Sequence, residues 1–362
     1  SYLIWVHDSL KSRPLIWPDL KRVLVEVTGR AGRPPRQPGL PSLHSPPVLG
    51  LLTLLLQGLA LCVIAGVGYT VYALTHPPRR TYAHAVARGR PGHPDELPRL
   101  PSGQPRPFEQ WSFKSRGLEL PVWDITGDLN ANDGPLDASL EDRPILVMTH
   151  GWGDSRVGAL TRAVPLLPIC SRIIMWDLPG HGEAKGRCSM GTHEPDDLLA
   201  LLQQLALTNH RVVLFGWSLG AGVSIVAATR FVGTVAGVIA EAPYRVSQTP
   251  ARNVLKIREL PYRWNVPPAF WLIGMDVGVG PRWSGFDRAD HAGRLKCPLL
   301  VIHGRDDRVC PIEDGRAIAR AGPGTLVEIA DAGHHGLWTE PASSAVCTSA
   351  VRDFLKSLRG VA

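Results

Sequence analysis

Six short apolar runs, spread over the last two thirds of the chain, decide what it can fold into. They are ILVMT (145–149), RIIMW (172–176), RVVLFGW (211–217), VAGVIA (235–240), PLLVIHG (298–304) and TLVEIA (325–330). Each is almost continuously apolar, which suits a strand buried on both faces. Helix candidates stand between them, near 156–167, 195–207, 219–232, 312–321 and 341–358. Strands alternating with helices make βαβ units, so the pattern predicts an α/β fold with a mostly parallel sheet flanked by helices. WSFKS and ELPVWDI predict a leading pair of strands. The stretch 243–292 breaks the alternation and holds Trp264, Trp271 and Trp283, and it reads as a small cap insertion over the sheet. The folded domain is expected over 108–362, long enough for one substantial core.

A different texture precedes it. Residues 48–74 carry no charge, and Gln57 is the one strongly polar side chain among them. As a helix this run is about 40 Å long, whereas about 20 residues cross a hydrocarbon core. Tyr69 and Tyr72 suit an interfacial belt at its end. A buried core helix is not so long or so purely apolar, and a signal peptide has an apolar region of about 7–15 residues. One N-terminal transmembrane helix is therefore expected, making the protein a single-pass membrane protein in contact with lipid. Before it, 1–47 is an N-terminal segment that ends in a Pro/Arg-rich linker; after it, 75–107 reads as a second Pro/Arg-rich tether. Arg30, Arg33 and Arg36 lie on one side of the span, and Arg79, Arg80, Arg88 and Arg90 on the other. That balance slightly favours the C-terminal domain on the cytoplasmic side, with the second group of arginines against lipid head groups. The chain begins on Ser1 rather than Met, as a fragment or a processed product would.

The net charge of +7 follows the same division. Residues 1–107 hold 13 Lys/Arg against 5 Asp/Glu, and 108–362 hold 26 against 27. The folded part is nearly neutral, which argues against a nucleic-acid partner. Six cysteines are too few for a disulfide scaffold. Cys170 and Cys188, and Cys297 and Cys310, stand at opposite ends of predicted strands, too far apart to bridge.

The strongest chemical signal is Gly216-Trp217-Ser218-Leu219-Gly220, between the strand RVVLFG and the helix candidate LGAGVSIVAATRF. G-x-S-x-G at a strand-to-helix turn is a nucleophile elbow, which lifts its serine to the C-terminal edge of the sheet. A serine hydroxyl needs a base and an acid to orient that base. In this architecture they follow in the order Ser, Asp/Glu, His. Arg305-Asp306-Asp307-Arg308 follows one strand, and Asp331-Ala332-Gly333-His334-His335 follows the next, so both loops fall on the edge that carries Ser218. Spacing alone leaves Asp306 or Asp307 as the acid and His334 or His335 as the base. His150-Gly151-Trp152-Gly153 follows ILVMT. A tetrahedral oxyanion needs preorganised N–H donors; Leu219 and Trp152 are the candidates. Thr192-His193-Glu194-Pro195-Asp196-Asp197 reads as a helix N-terminus with acids in its first turn, and no CxxC pair, zinc motif, Walker loop or G-x-G-x-x-G is present.

HGWG (150–153), DLPGHG (177–182), GWSLGAG (216–222), GRDDRVCP (304–311) and AGHHGLW (332–338) together resemble the α/β-hydrolase superfamily, in its serine-aminopeptidase-like and monoglyceride-lipase-like branch. The resemblance covers roughly 110–360 and implies an α/β-hydrolase fold. The family's G-x-x-D falls on Gly304 and Asp307, and its G-H pair on Gly333 and His334. The resemblance thus implies Ser218, Asp307 and His334 as catalytic, with Asp177 and His181 structural. The expected function is a membrane-anchored serine hydrolase that acts on a small-molecule ester or acyl substrate through an acyl-enzyme and needs no cofactor. An acyltransferase, thioesterase or peptidase on the same triad, or a non-catalytic binding protein, are the alternatives. Trp152 and Trp217 flank the reacting centre and are expected to narrow the acyl pocket.

Overall fold

The computed structural model describes residues 46–128, 143–206 and 211–358; the N-terminal segment and most of the first linker lie outside them. The chain divides into two units, 1–61 and 62–362. Helix α1, Pro46–Thr75, begins in the first and ends in the second. Its stretch Leu49–Thr75 is long and apolar enough to cross a membrane.

Parts of the stretch 75–107, expected as a tether, are packed on the domain. Helix α2 (Tyr82–Val86) buries Ala85, and Leu97 and Leu100 are buried further on. Arg106 is also buried. Its guanidinium donates to the carbonyls of Pro98 and Thr126 and to the Asp128 carboxylate. A charge taken out of water persists only when its donors are met, and composition gives no sign of such partners.

The domain proper runs β1 (Phe108–Ser115), β2 (Leu118–Thr126), β3 (Ile145–Thr149), α3 (Arg156–Ala163), β4 (Arg172–Trp176), α4 (Glu194–Leu205), β5 (Val212–Trp217), α5 (Leu219–Arg230) and β6 (Gly237–Glu241). The insertion supplies α6 (Gln248–Ile257), α7 (Val266–Asp276) and α8 (Arg288–Ala292), and then come β7 (Leu299–Gly304), α9 (Ile312–Ala321), β8 (Gly324–Ile329) and α10 (Pro341–Ser357). The eight strands form one sheet in the order β1-β2-β4-β3-β5-β6-β7-β8. β1 pairs antiparallel with β2, and β2 with β4; the other pairs are parallel.

Every residue of β3, β5, β6 and β7 is buried. This is the physical content of their continuous apolar runs: both faces are covered. Strand β8 is the exception. It stands at the sheet edge and is largely exposed over its first half. The helix expected over 156–167 stops at Ala163 and tightens into a 3-10 turn over Val164–Leu166, because Pro165 has no N–H to continue the ladder. His193 takes the N-cap of α4, and Glu194 and Asp197 are buried in its first turn. Glu194 accepts from the Ser189 and Gly191 amides, and Asp197 from Ser115 and Arg116.

The sheet order reverses at β3, whose successor β4 lies on one side and β5 on the other. A crevice at the carboxyl ends of the strands opens at such a switch point, and ligands bind there. The loops after β3, β5, β7 and β8 all end at that edge.

Candidate active site

The elbow is built by close backbone approach. Ser218 has φ 52° and ψ −114°, a conformation that costs an L residue energy and is seen where a site needs it. The glycines on either side cannot be replaced freely. A Cβ on Gly216 would lie 2.0 Å from the carbonyl oxygen of Gly220, and a Cβ on Gly220 would lie 2.0 Å from that of Thr149. The turn therefore closes only if both positions lack a side chain. Gly220→Ala is expected to cost at least the ~1–3 kcal/mol typical of overpacking, since backbone rather than a flexible side chain would have to move. Urea unfolding checks this; a midpoint equal to that of the parent chain would contradict it.

The Ser218 N–H donates to the Glu241 carbonyl at 2.8 Å, which ties the elbow to the end of β6. The Glu241 side chain is 1% exposed and is held by Arg162 in two hydrogen bonds of 2.9 and 2.7 Å. Trp338 Nε1 donates to it at 2.7 Å. The Arg162 guanidinium lies 4.0 Å from the centroid of the Trp217 ring. Helix α3, the ends of β5 and β6, and the loop before α10 are thereby locked together behind the serine. Removing one partner of such a buried pair typically costs about 3–5 kcal/mol. Glu241→Ala is expected to lose stability on that scale, read from its urea midpoint; a loss well under 1 kcal/mol would show that Arg162 finds another acceptor.

The acid and base candidates separate cleanly. Asp306 is exposed, whereas Asp307 is buried. The Asp307 Oδ1 accepts the amides of Val309 and Cys310, each at 2.8 Å, and its Oδ2 lies 2.7 Å from His334 Nδ1. Burial opposes the charge on Asp307. Hydrogen bonds from His303, His334 and the Cys310 amide outweigh it and hold the carboxyl well below the usual carboxylate range. A charged Asp307 favours a proton on His334 Nδ1, which leaves Nε2 as the basic nitrogen. His335 is exposed and stacks edge-on against His334, with ring centroids 5.0 Å apart.

In the loop after β3, His150 is fully buried, and burial lowers its pKa. Its Nε2 accepts the Leu178 amide at 2.9 Å, so Nδ1 carries the proton and donates to the Gly151 carbonyl at 2.8 Å. His150 thus pins the HGWG turn to the DLPGHG turn. Asp177 accepts the amides of Arg156 and Glu183, and the His181 ring packs against His150 with centroids 4.9 Å apart. Leu219 opens α5, where an amide has no acceptor inside its own helix.

Two lobes meet at Ser218. One, about 260 Å³, is polar and is lined by Arg80, Arg88, Arg90 and Arg162. The other, about 220 Å³, is apolar and is lined by Leu74, Leu219, Tyr244 and Val254. Trp152 and His334 line both. Trp217 lines the polar lobe alone, its ring being committed to Arg162. The expected narrowing of an acyl pocket by two tryptophans therefore does not occur on the apolar side. Arg88 and Arg90, expected against head groups, line the polar lobe, and Arg80 lines both lobes, with Arg258 at the apolar one.

Cys310 was not apparent from sequence spacing. Its sulfur lies 4.0 Å from the Ser218 Oγ. It follows Asp307 by three residues, and the turn that satisfies Asp307 brings it there. Burial, and then the Asp307 charge, push its thiol well above the ordinary value, so it is a neutral neighbour rather than a nucleophile. Donor atoms of Asp307, Cys310 and His334 fall within 4.8 Å of one another. With the carboxylate occupied by His334 and two amides, the set suits proton handling better than metal binding. All six cysteines are free.

The profile of the α/β hydrolase family matches residues 146–346. The chain belongs to the α/β hydrolase family. Among curated relatives, this hydrolase-family chain is similar to the human protein ABHD12B, at 27% identity over 219 residues, or 56% of this chain and 58% of that one. It also matches the biotin biosynthesis bifunctional protein BioHC of Cellvibrio japonicus (strain Ueda107), at 38% identity over 106 residues, or 28% of this chain and 19% of that one. The chain thus spans less than two thirds of either relative. Among solved structures, the Pyrococcus furiosus esterase Pf2001 superposes with a TM-score of 0.55 at 20% identity, covering 79% of this chain and 98% of that one. Esterase RhEst1 from Rhodococcus sp. ECU1013 gives 0.50 at 20% identity, covering 69% and 99%. At these identities the likeness carries the α/β-hydrolase fold.

Proposed function

We propose that the chain is a membrane-anchored serine hydrolase that cleaves an ester-like bond in a small acyl substrate. The observation that carries this reading is one arrangement: Ser218, strained at a strand-to-helix elbow, shares its cavity with His334, whose Nδ1 is 2.7 Å from a buried, ionised Asp307. In the proposed reaction His334 Nε2 takes the Ser218 proton as Oγ bonds to the carbonyl carbon. The oxyanion accepts from the Leu219 and Trp152 amides. Collapse breaks the bond to the leaving alcohol, which takes the proton back from His334. Water then repeats the sequence on the acyl-enzyme and releases the acid, leaving Ser218 and His334 as they began.

Anchoring through α1 is supported by its length and composition, and the excess of arginines after the span favours a cytoplasmic catalytic domain. The test is mass-spectrometric mapping of a fluorophosphonate adduct on the full chain, followed by a panel of ester, thioester and aminoacyl substrates. The expected adduct is on Ser218, with esters turned over fastest. An adduct elsewhere, or none on folded protein, would overturn the assignment of the nucleophile.

A further inference from the structure

The end of the apolar helix is not merely an anchor for the domain. Val67, Thr70 and Leu74 are buried and Val71 half-buried, while Tyr69 and Tyr72 are 67% and 60% exposed. Positions 67, 70, 71 and 74 fall on one helical face, so that face is docked on the domain. The docking is also polar. The last carbonyls of a helix lack intrahelical donors. Here the Leu74 carbonyl accepts from Trp152 Nε1 at 2.8 Å, and the Thr75 carbonyl from the Cys188 amide at 2.8 Å. Trp152 is the residue whose own amide is assigned to the oxyanion. The docked end therefore fixes the side chain of an oxyanion-hole residue.

It also shapes the space beside the nucleophile. Tyr69, Ala73 and Leu74 line one side of the apolar lobe, and Ala251, Val254 and Leu255 line another, with Ser218 at its end. We propose that residues 69–74 are a wall of the acyl-binding site: the acyl chain lies in the apolar lobe against them, so the membrane-crossing helix sets the chain length the hydrolase accepts. The inference rests on the reading of Ser218 as nucleophile and adds the identity of the acyl pocket. An apolar chain leaves water only for an apolar lining, and the Arg-lined lobe is left for the polar leaving group. Removing the helix should then alter specificity as well as location.

The test uses the full chain in nanodiscs with p-nitrophenyl acetate, dodecanoate and hexadecanoate. Ala73→Trp places an indole in the lobe and is expected to lower the dodecanoate-to-acetate ratio of kcat/KM at least tenfold. Tyr69→Ala opens the lobe and is expected to raise the same ratio for hexadecanoate over acetate severalfold. Ala65→Trp, on an exposed part of the helix, should leave both ratios where they were. Movement of the ratios in these opposite directions supports the proposal. Unchanged ratios in both wall variants, with Ser218 still labelled by fluorophosphonate, would overturn it and leave the serine hydrolase reading standing. Loss of turnover on every ester in both variants would also overturn it, because a wall shapes selection rather than chemistry. No turnover and no Ser218 labelling in the parent chain would instead remove the hydrolase reading, and the acyl pocket with it.

Discussion

Ser218→Ala is expected to lower kcat on any ester the enzyme accepts by about 10⁶-fold, the scale seen when a serine nucleophile is deleted from a comparable triad. The fold should survive. The new side chain is smaller than the old, and the elbow's strained φ belongs to the backbone, held by the Ser218 N–H on the Glu241 carbonyl and by the two glycines. No hydrogen bond of the Ser218 Oγ except the long contact to Cys310 is found among the described residues, so little stability goes with it. Single-turnover kinetics should show no acyl-enzyme burst in the variant. Residual turnover of about 10³–10⁴-fold over water is still expected, because the oxyanion donors and the cavity remain. A variant that keeps a tenth or more of the parent activity would rule Ser218 out as the nucleophile. Cys310 would not then be the natural replacement, since its thiol is held protonated by burial.

How much of this was legible beforehand differs from one residue to the next, and the reason is range. Gly216 could be read from sequence because its constraint is local, room for the Gly220 carbonyl one turn away. Gly220 was legible only through the motif, since the backbone it makes room for is Thr149 at the end of β3. Ser218, Asp307 and His334 could be placed on one edge because strand direction carries loops there without any knowledge of side chains. The choice of Asp307 over Asp306 needed burial, which the sequence shows only through resemblance. The support of Glu241 by Arg162 and Trp338 joins residues 79 and 97 apart, and no period or motif marks such a contact. The docking of residues 67–75 escaped for a further reason. A face of Val, Thr and Leu within an apolar run looks the same whether it meets lipid or protein. The Pro/Arg-rich stretch 75–107 misled similarly, since composition does not reveal that Arg106 finds three acceptors.

Asp307→Asn should separate orientation from bulk chemistry. The Asp307 Oδ2 meets His334 Nδ1, while Oδ1 is taken by the Val309 and Cys310 amides. In the asparagine variant the oxygen is retained by the two amides, and the NH₂ group faces His334. An N–H donor there requires Nδ1 to accept, which moves the histidine proton to Nε2. Nε2 is then no base for Ser218, and kcat is expected to fall about 10⁴-fold, near 5 kcal/mol at 1.36 kcal/mol per tenfold. Stability supplies a second, independent reading. Asp307 is held below the unfolded carboxylate value of about 3.9, so the unfolded chain binds more protons as acid is added. The stability due to the Asp307 charge is thus fully present above about pH 4 and is lost as pH falls further, through the depressed native value. The gap in urea midpoint between the parent and Asp307→Asn should be equal at pH 7 and pH 5 and smaller at pH 3. A gap that widened towards pH 3 would mean that Asp307 is protonated in the folded protein, and an acid in that state could not hold His334 in the tautomer the reaction needs.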